Sequence, residues 1–294
     1  MKMSSKHKGI LFILMAAFCF ACMSVCVRLA GDIPTIQKSF FRNAVAAVVA
    51  FGILAREGKG FAPAKKGNLP MLIARSVAGT LGLLANFYTV DHLLLSDSTM
   101  LNKLGPFFAV IASYFLLKEK LSSVQVLSLV CAFAGALCII RPTLSNMDLI
   151  PSLVGMFGGM ASGVAYTLVR MLGQRGERGP VIVFFFSVFS CLVALPFILF
   201  DYHPMTGAQF AALMGAGLAA AGGQFSVTAA YCNAPAREIS IFDYSQVIFG
   251  AIFGFILFGD VPDALSFLGY ALIIGMAVMN FLYSNRKVKT QKAA

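Results

Sequence analysis

Residues 102–120 read NKLGPFFAVIASYFLLKEK, and residues 243–261 read DYSQVIFGAIFGFILFGDV. Laid over one another at a shift of 141, Ile111 falls on Ile252, Leu116 on Leu257 and Glu119 on Asp260. Asn102-Lys103 falls on Asp243-Tyr244, so each stretch carries a charge near the start of an apolar helix. The same shift puts Leu127 on Leu268 and Ala136 on Ala277, and a shift of 142 puts Val27-Arg28 on Val169-Arg170. Few letters match; the agreement is one of hydropathy and position. Two copies of an odd number of membrane spans must lie in opposite orientations. Inverted repeats with charge at matching positions are how solute transporters are built.

The rest of the chain supports a membrane setting. It is 59% hydrophobic and only 12% charged, with mean hydropathy +0.84. A soluble domain of that composition would have too little polar surface to wet. The seven cysteines lie in or beside apolar runs with no paired CxxC spacing, and they read as small packing residues rather than metal ligands. Neither a cofactor nor a metal is expected. Tyr88, Tyr202, Tyr231 and Tyr283 supply the interfacial aromatic belt in a chain without tryptophan.

Ten segments are long and apolar enough to cross the hydrocarbon: 9–29, 34–54, 70–90, 98–117, 123–140, 150–171, 180–200, 207–231, 238–258 and 264–283. The fold class is therefore all-α integral membrane, with ten transmembrane helices in two inverted five-helix repeats. The first repeat spans 1–141 and the second 148–285, followed by a basic tail at 286–294. Short connections predict that consecutive helices are antiparallel neighbours. With the N-terminus inside, 18 of the 23 Lys and Arg residues fall on the inner side. That asymmetry predicts a multi-pass protein of the cell membrane with both termini cytoplasmic. It also explains the net charge of +11 without nucleic acid.

Charges inside apolar helices need a partner, a water-filled cavity or a ligand. Counting ~1.5 Å per residue from the helix ends puts Lys103 about 9 Å below the outer surface and Asp243 about 8 Å above the inner one. Upright helices would then hold them ~13 Å apart across a ~30 Å core, which argues against a direct pair. Arg75, about 8 Å from the inner side, is the expected partner of Asp243. Lys103 either snorkels outward or faces a cavity, and the adjacent Gly105-Pro106 break favours the cavity. Arg42 either reads an anionic group or pins the second helix to a neighbour. Asn86, Tyr88, Asn102, Tyr166, Gln224 and Tyr244, with Thr228 and Gln246, complete the candidate substrate-binding set. Arg28 and Arg170 read as interfacial anchors. With three cations against one carboxylate, the interior points to a solute bearing an anionic or zwitterionic group. The stripes Gly155-x3-Gly159-x3-Gly163 and Gly250-x3-Gly254 serve either packing within the bundle or a homodimer interface.

The ordered set Phe40-Phe41-Arg42, Arg75, Gly79, Gly82, Tyr88, Leu95-Ser96-Asp97, Pro106 and Leu117-Lys118-Glu119-Lys120 resembles the EamA family of the drug/metabolite transporter superfamily. Gly222-Gly223-Gln224, Ala234-Pro235-Ala236 and Phe258-Gly259-Asp260 resemble its second-repeat counterparts, with Asp260 where Glu is more usual. The resemblance implies two inverted five-helix repeats around a cavity lined mainly by helices 1, 3, 4, 6, 8 and 9. It also implies secondary transport of a small metabolite by alternating access. A channel or a structural membrane protein is the alternative. A membrane acyltransferase is a remote one, resting only on the His92-x4-Asp97 spacing. No HExxH, GxSxG, Walker or Rossmann sequence is present, so no enzyme is expected.

Overall fold

In the computed structural model, residues 4–93, 99, 101–140, 149–259 and 261–293 are described. Leu95, Ser96, Asp97, Arg141 and Asp260, with the boundary between the two expected repeats, lie outside them. The described chain is helical: α1 (Ser5–Leu29), α2 (Thr35–Glu57), α3 (Leu69–His92), α4 (Gly105–Leu117), α5 (Ser123–Ile140), α6 (Leu149–Gln174), α7 (Gly179–Phe200), α8 (Gly207–Asn233), α9 (Ala236–Phe258) and α10 (Ala264–Ala293). Eight helices are long and apolar enough to span a membrane, and α4 and α5 are shorter apolar helices. The protein is a multi-pass membrane protein. The helix of α10 runs on through the stretch expected to be a separate tail.

Proline places several of the starts. Pro70, Pro106 and Pro180 sit in the first turns of α3, α4 and α7, where a missing N–H removes no helical bond. Two helices are interrupted. The expected fourth helix becomes regular only at Gly105, after a turn at Lys103-Leu104. α9 passes through a 3-10 segment, Ser240–Tyr244. These two breaks are the places where the 141-residue shift superimposes Lys103 on Tyr244. The ends agree too: α3 ends at His92 and α8 at Asn233, α4 at Leu117 and α9 at Phe258, while α5 starts at Ser123 and α10 at Ala264. Each pair is 141 apart. Lys118 (φ 53) and Gly259 (φ 72), which cap α4 and α9 in the left-handed conformation, form another such pair.

Consecutive helices are not the main neighbours, contrary to the expectation from short loops. The most extensive packing joins α1 to α8, α3 to α6, α5 to α10 and α2 to α7. Every one of these pairs takes one helix from each half, so each half buries its apolar faces against the other. The glycine stripe of α6 serves this packing. A side chain at Gly155, Gly159 or Gly163 would run into Leu101, Leu104 or Phe108-Ala109, whereas Gly250 has nothing within 4 Å.

Bonds between loops sort the helix ends into two faces. Ser5 donates to the Asn233 carbonyl (2.6 Å), Arg178 pairs with Glu57 (3.1 Å), Arg237 donates to the Lys120 carbonyl (3.0 Å), and Ser122 bonds Tyr283 (2.8 Å). Glu177, buried on the same face, accepts from the Ala64 N–H (3.0 Å) and from Asn68 (2.8 Å). At the opposite face Gln37 bonds the His203 backbone, and Asn102 donates to Asn86 (2.7 Å). The helices therefore alternate in direction, and Ser5 and Tyr283 share one face.

Candidate functional site

A cavity of about 180 Å³ lies between α1, α2, α3, α6, α7 and α8 and the two interrupted helices. Eight of the ten expected site residues line it: Arg42, Arg75, Asn86, Asn102, Lys103, Tyr166, Gln224 and Asp243. Gln246 joins them, as do Phe20 and Phe186, two ring walls that sequence reasoning passed over. At the end where α3 finishes, Asn102 is exposed, whereas Arg75 and Gln224 at the other end are buried. The chamber opens toward the face opposite the chain ends.

Its chemistry divides into two poles. The Lys103 ammonium donates to Gln246 Oε1 at 2.8 Å and stands 3.3 Å from Asp243 Oδ2. The direct Lys103–Asp243 contact that depth counting argued against is therefore present, and Lys103 faces the cavity rather than the outer interface. Each step of a 3-10 segment rises ~2.0 Å rather than ~1.5 Å, so Asp243 sits deeper than a regular helix would place it. The lysine stem supplies the remaining reach. Tyr244 is buried beneath this pair and donates to the Lys103 carbonyl at 3.0 Å, pinning one helix break to the other. It supports the cavity without lining it.

The second pole carries Arg75, 2% exposed. The expected Arg75–Asp243 ion pair is absent: the guanidinium carbon lies 3.9 Å from the centroid of the Phe186 ring. Its Nε and Nη1 are buried with no hydrogen-bond partner among the described residues, as is Gln224 Nε2. Lys103 has taken Asp243, leaving Arg75 only a ring face. Arg42 lies toward the Phe20 ring, 5.9 Å from its centroid, and forms no ion pair among the described residues.

Tyr166 closes the chamber by stacking on Tyr231 (4.9 Å between centroids, 6° apart), whose hydroxyl is 3.3 Å from Ser240. Tyr88 does not line the cavity; its ring stacks on His92. Asn86 and Tyr88 are two residues apart and so point roughly 200° away from each other on a helix, which the sequence reading overlooked. Thr228 is buried, with a hydroxyl that has no partner. Arg170 is more than an interfacial anchor: it donates to the Tyr231 and Cys232 carbonyls (3.4 and 3.1 Å) and lies 3.8 Å from Glu119. Arg28, by contrast, lies over the Phe258 ring at the other face.

The family profile of EamA-like transporters matches residues 7–141. The pseudopaline exporter CntI of Pseudomonas aeruginosa is 30% identical over 268 residues, covering 90% of this chain and 93% of its own. This chain belongs to the EamA-like transporter family. An uncharacterized transporter of Helicobacter pylori is 29% identical over 273 residues, and human solute carrier family 35 member G1 is 28% identical over 272. A crystal structure with 16% identity superimposes with a TM-score of 0.83 over 95% of the chain, so the fold is shared. This EamA-family protein is a membrane transporter.

Gly79 is what admits the arginine. A Cβ there would press on Arg75 Nη1 and come 2.8 Å from Phe186 Cε2. Gly79→Ala is expected to leave the protein folded and to cut solute uptake by ~10- to 100-fold by displacing the guanidinium, since misplacing a positioned group by about 1 Å can cost ~100-fold. Uptake into proteoliposomes and thermal unfolding of the same preparation check both halves of that expectation.

Proposed function

We propose that this protein is a secondary transporter that moves a small organic solute bearing an anionic group across the cell membrane by alternating access. The observation that carries this reading is Arg75: a buried cation on the cavity wall with two donor nitrogens that find no acceptor among the described residues. A buried unmet donor costs about 1–3 kcal/mol, more when charged, and an arriving carboxylate would meet it. The two halves act as inverted repeats that rock about the chamber. The paired ends 141 residues apart, the cross-half helix packing and the two helix breaks meeting at Lys103 and Tyr244 support that arrangement.

Saturable counterflow in proteoliposomes, tested with carboxylated, neutral and cationic solutes, decides the matter. Only anionic solutes are expected to exchange. A flux that never saturates would make the protein a channel, and exchange of cations alone would discard the anion. Both termini are proposed to be cytoplasmic, because the basic loops lie on the face they share. Reporters fused to each end are expected to give the same cytoplasmic signal; opposite signals would remove the inverted arrangement.

A further inference from the structure

The charge inside the chamber does not balance, and the imbalance counts the solute's charge. Three cations line the cavity, Arg42, Arg75 and Lys103, against one carboxylate among the described residues, Asp243. Lys103 and Asp243 lie 3.3 Å apart and cancel, leaving two positive charges. Those two come from different helices, α2 and α3, and each has only an aromatic face for company, Phe20 and Phe186. A ring face contributes ~0.5–2 kcal/mol to a cation. A fully buried ion costs several kcal/mol even after relaxation, so the ring falls short for Arg75, which is 2% exposed, and would do so for Arg42 once the chamber closes over it.

Arg42 is partly exposed in the open chamber, whereas Arg75 is already buried. Alternating access requires a stage at which it is closed at both ends, and at that stage whatever charge remains sits in a low dielectric. From the two uncompensated arginines on one wall and the self-neutralised Lys103–Asp243 pair on the other, we infer that the solute is a compact dianion rich in acceptor oxygens. This rests on the anion-transport reading above and specifies it. Two carboxylates or one phosphoryl group would both qualify. Among the residues lining the chamber, the buried groups left unmet, Arg75 Nε and Nη1 and Gln224 Nε2, are all donors, which is the complement such a solute needs. A monoanion would leave one charge stranded at closure. The empty carrier strands two, so it returns across the membrane slowly and favours exchange.

The test is ligand protection of the full-length protein in nanodiscs, read by thermal unfolding. The probes are α,ω-dicarboxylates of four to seven carbons, their half-amides, the matching monocarboxylates, and glycerol phosphate. At least one dianion is expected to bind wild type ten or more times more tightly than its half-amide or glycerol. The dicarboxylate and phosphate arms tell the two sources apart. Arg42→Gln and Arg75→Gln each leave one surplus charge and are expected to reverse the order in favour of the half-amide. Arg42→Lys keeps the charge and should keep the dianion preference, which separates charge from shape. Lys103→Gln/Asp243→Asn leaves the sum unchanged and should keep it too.

Monoanions protecting wild type as well as dianions would overturn the inference and spare the anion reading. So would a dianion preference that survives Arg42→Gln with the protein folded. Protection by glycerol alone, or by none of the probes, would overturn both.

Discussion

Arg75→Gln is expected to make the empty protein more stable and the transporter inactive. The two effects have one origin. Arg75 is 2% exposed, its Nε and Nη1 have no acceptor among the described residues, and its guanidinium lies against the Phe186 ring. Burying a donor without a partner costs about 1–3 kcal/mol, and more for a charged group, so glutamine recovers part of that on folding. In transport the sign reverses. A charge-assisted bond contributes about 1.5–3 kcal/mol, so losing two lowers solute affinity ~100-fold or more. Thermal unfolding of the solute-free protein and the concentration dependence of uptake measure the two sides separately. A variant that unfolds earlier than wild type would mean that Arg75 is met within the protein and is a structural group. Retained uptake would take it out of the site.

The helices were readable from composition because a membrane imposes a length and an apolar run on each span. The ten expected segments differ from the observed helices by a few residues, except where the fourth begins and where the tenth runs on to Ala293. The site residues were readable because a charge inside such a run is conspicuous. Their pairing was not. It depended on the 3-10 segment at Ser240–Tyr244 and on the break before Gly105, which depart from the regular rise on which depth counting relied. Neighbour relations were hidden for a related reason. Loop length says which helices are adjacent in the chain, whereas the contacts here are decided by the apolar faces of one half seeking those of the other. Arg170 was misread because only the folded chain brings the Glu119 turn and the end of α8 to it.

That contact carries the second large effect. Glu119, in the turn after α4, stands 3.8 Å from Arg170, which donates to the Tyr231 and Cys232 carbonyls at the end of α8. Arg237 from α9 donates to the adjacent Lys120 carbonyl. Arg170→Gln strands the Glu119 carboxylate and both carbonyls; the two side chains are 16% and 11% exposed, so the cost falls short of the ~3–5 kcal/mol of a fully buried pair, at about 1–3 kcal/mol. Glu119→Gln is expected to cost far less. Burial raises the Glu119 carboxyl above its usual range, Arg237 and then Arg170 oppose that rise, and Glu238 adds to it. A carboxyl raised on folding holds its proton in the native state at pH values where the unfolded chain has lost it. Stability therefore falls as pH climbs from the ordinary glutamate range through the raised value. Glu119→Gln should flatten that slope, and a slope that persists would assign it to another group. The consequence for transport follows from Tyr231, whose ring backs Tyr166 at the closed end of the chamber. Loosening Arg170 frees the carbonyl end of the helix that holds this stack, so the Arg170→Gln protein should exchange backbone hydrogens faster at residues 228–234 than at α7. Equal rates at both places would mean that the pair braces the whole bundle rather than the closed end.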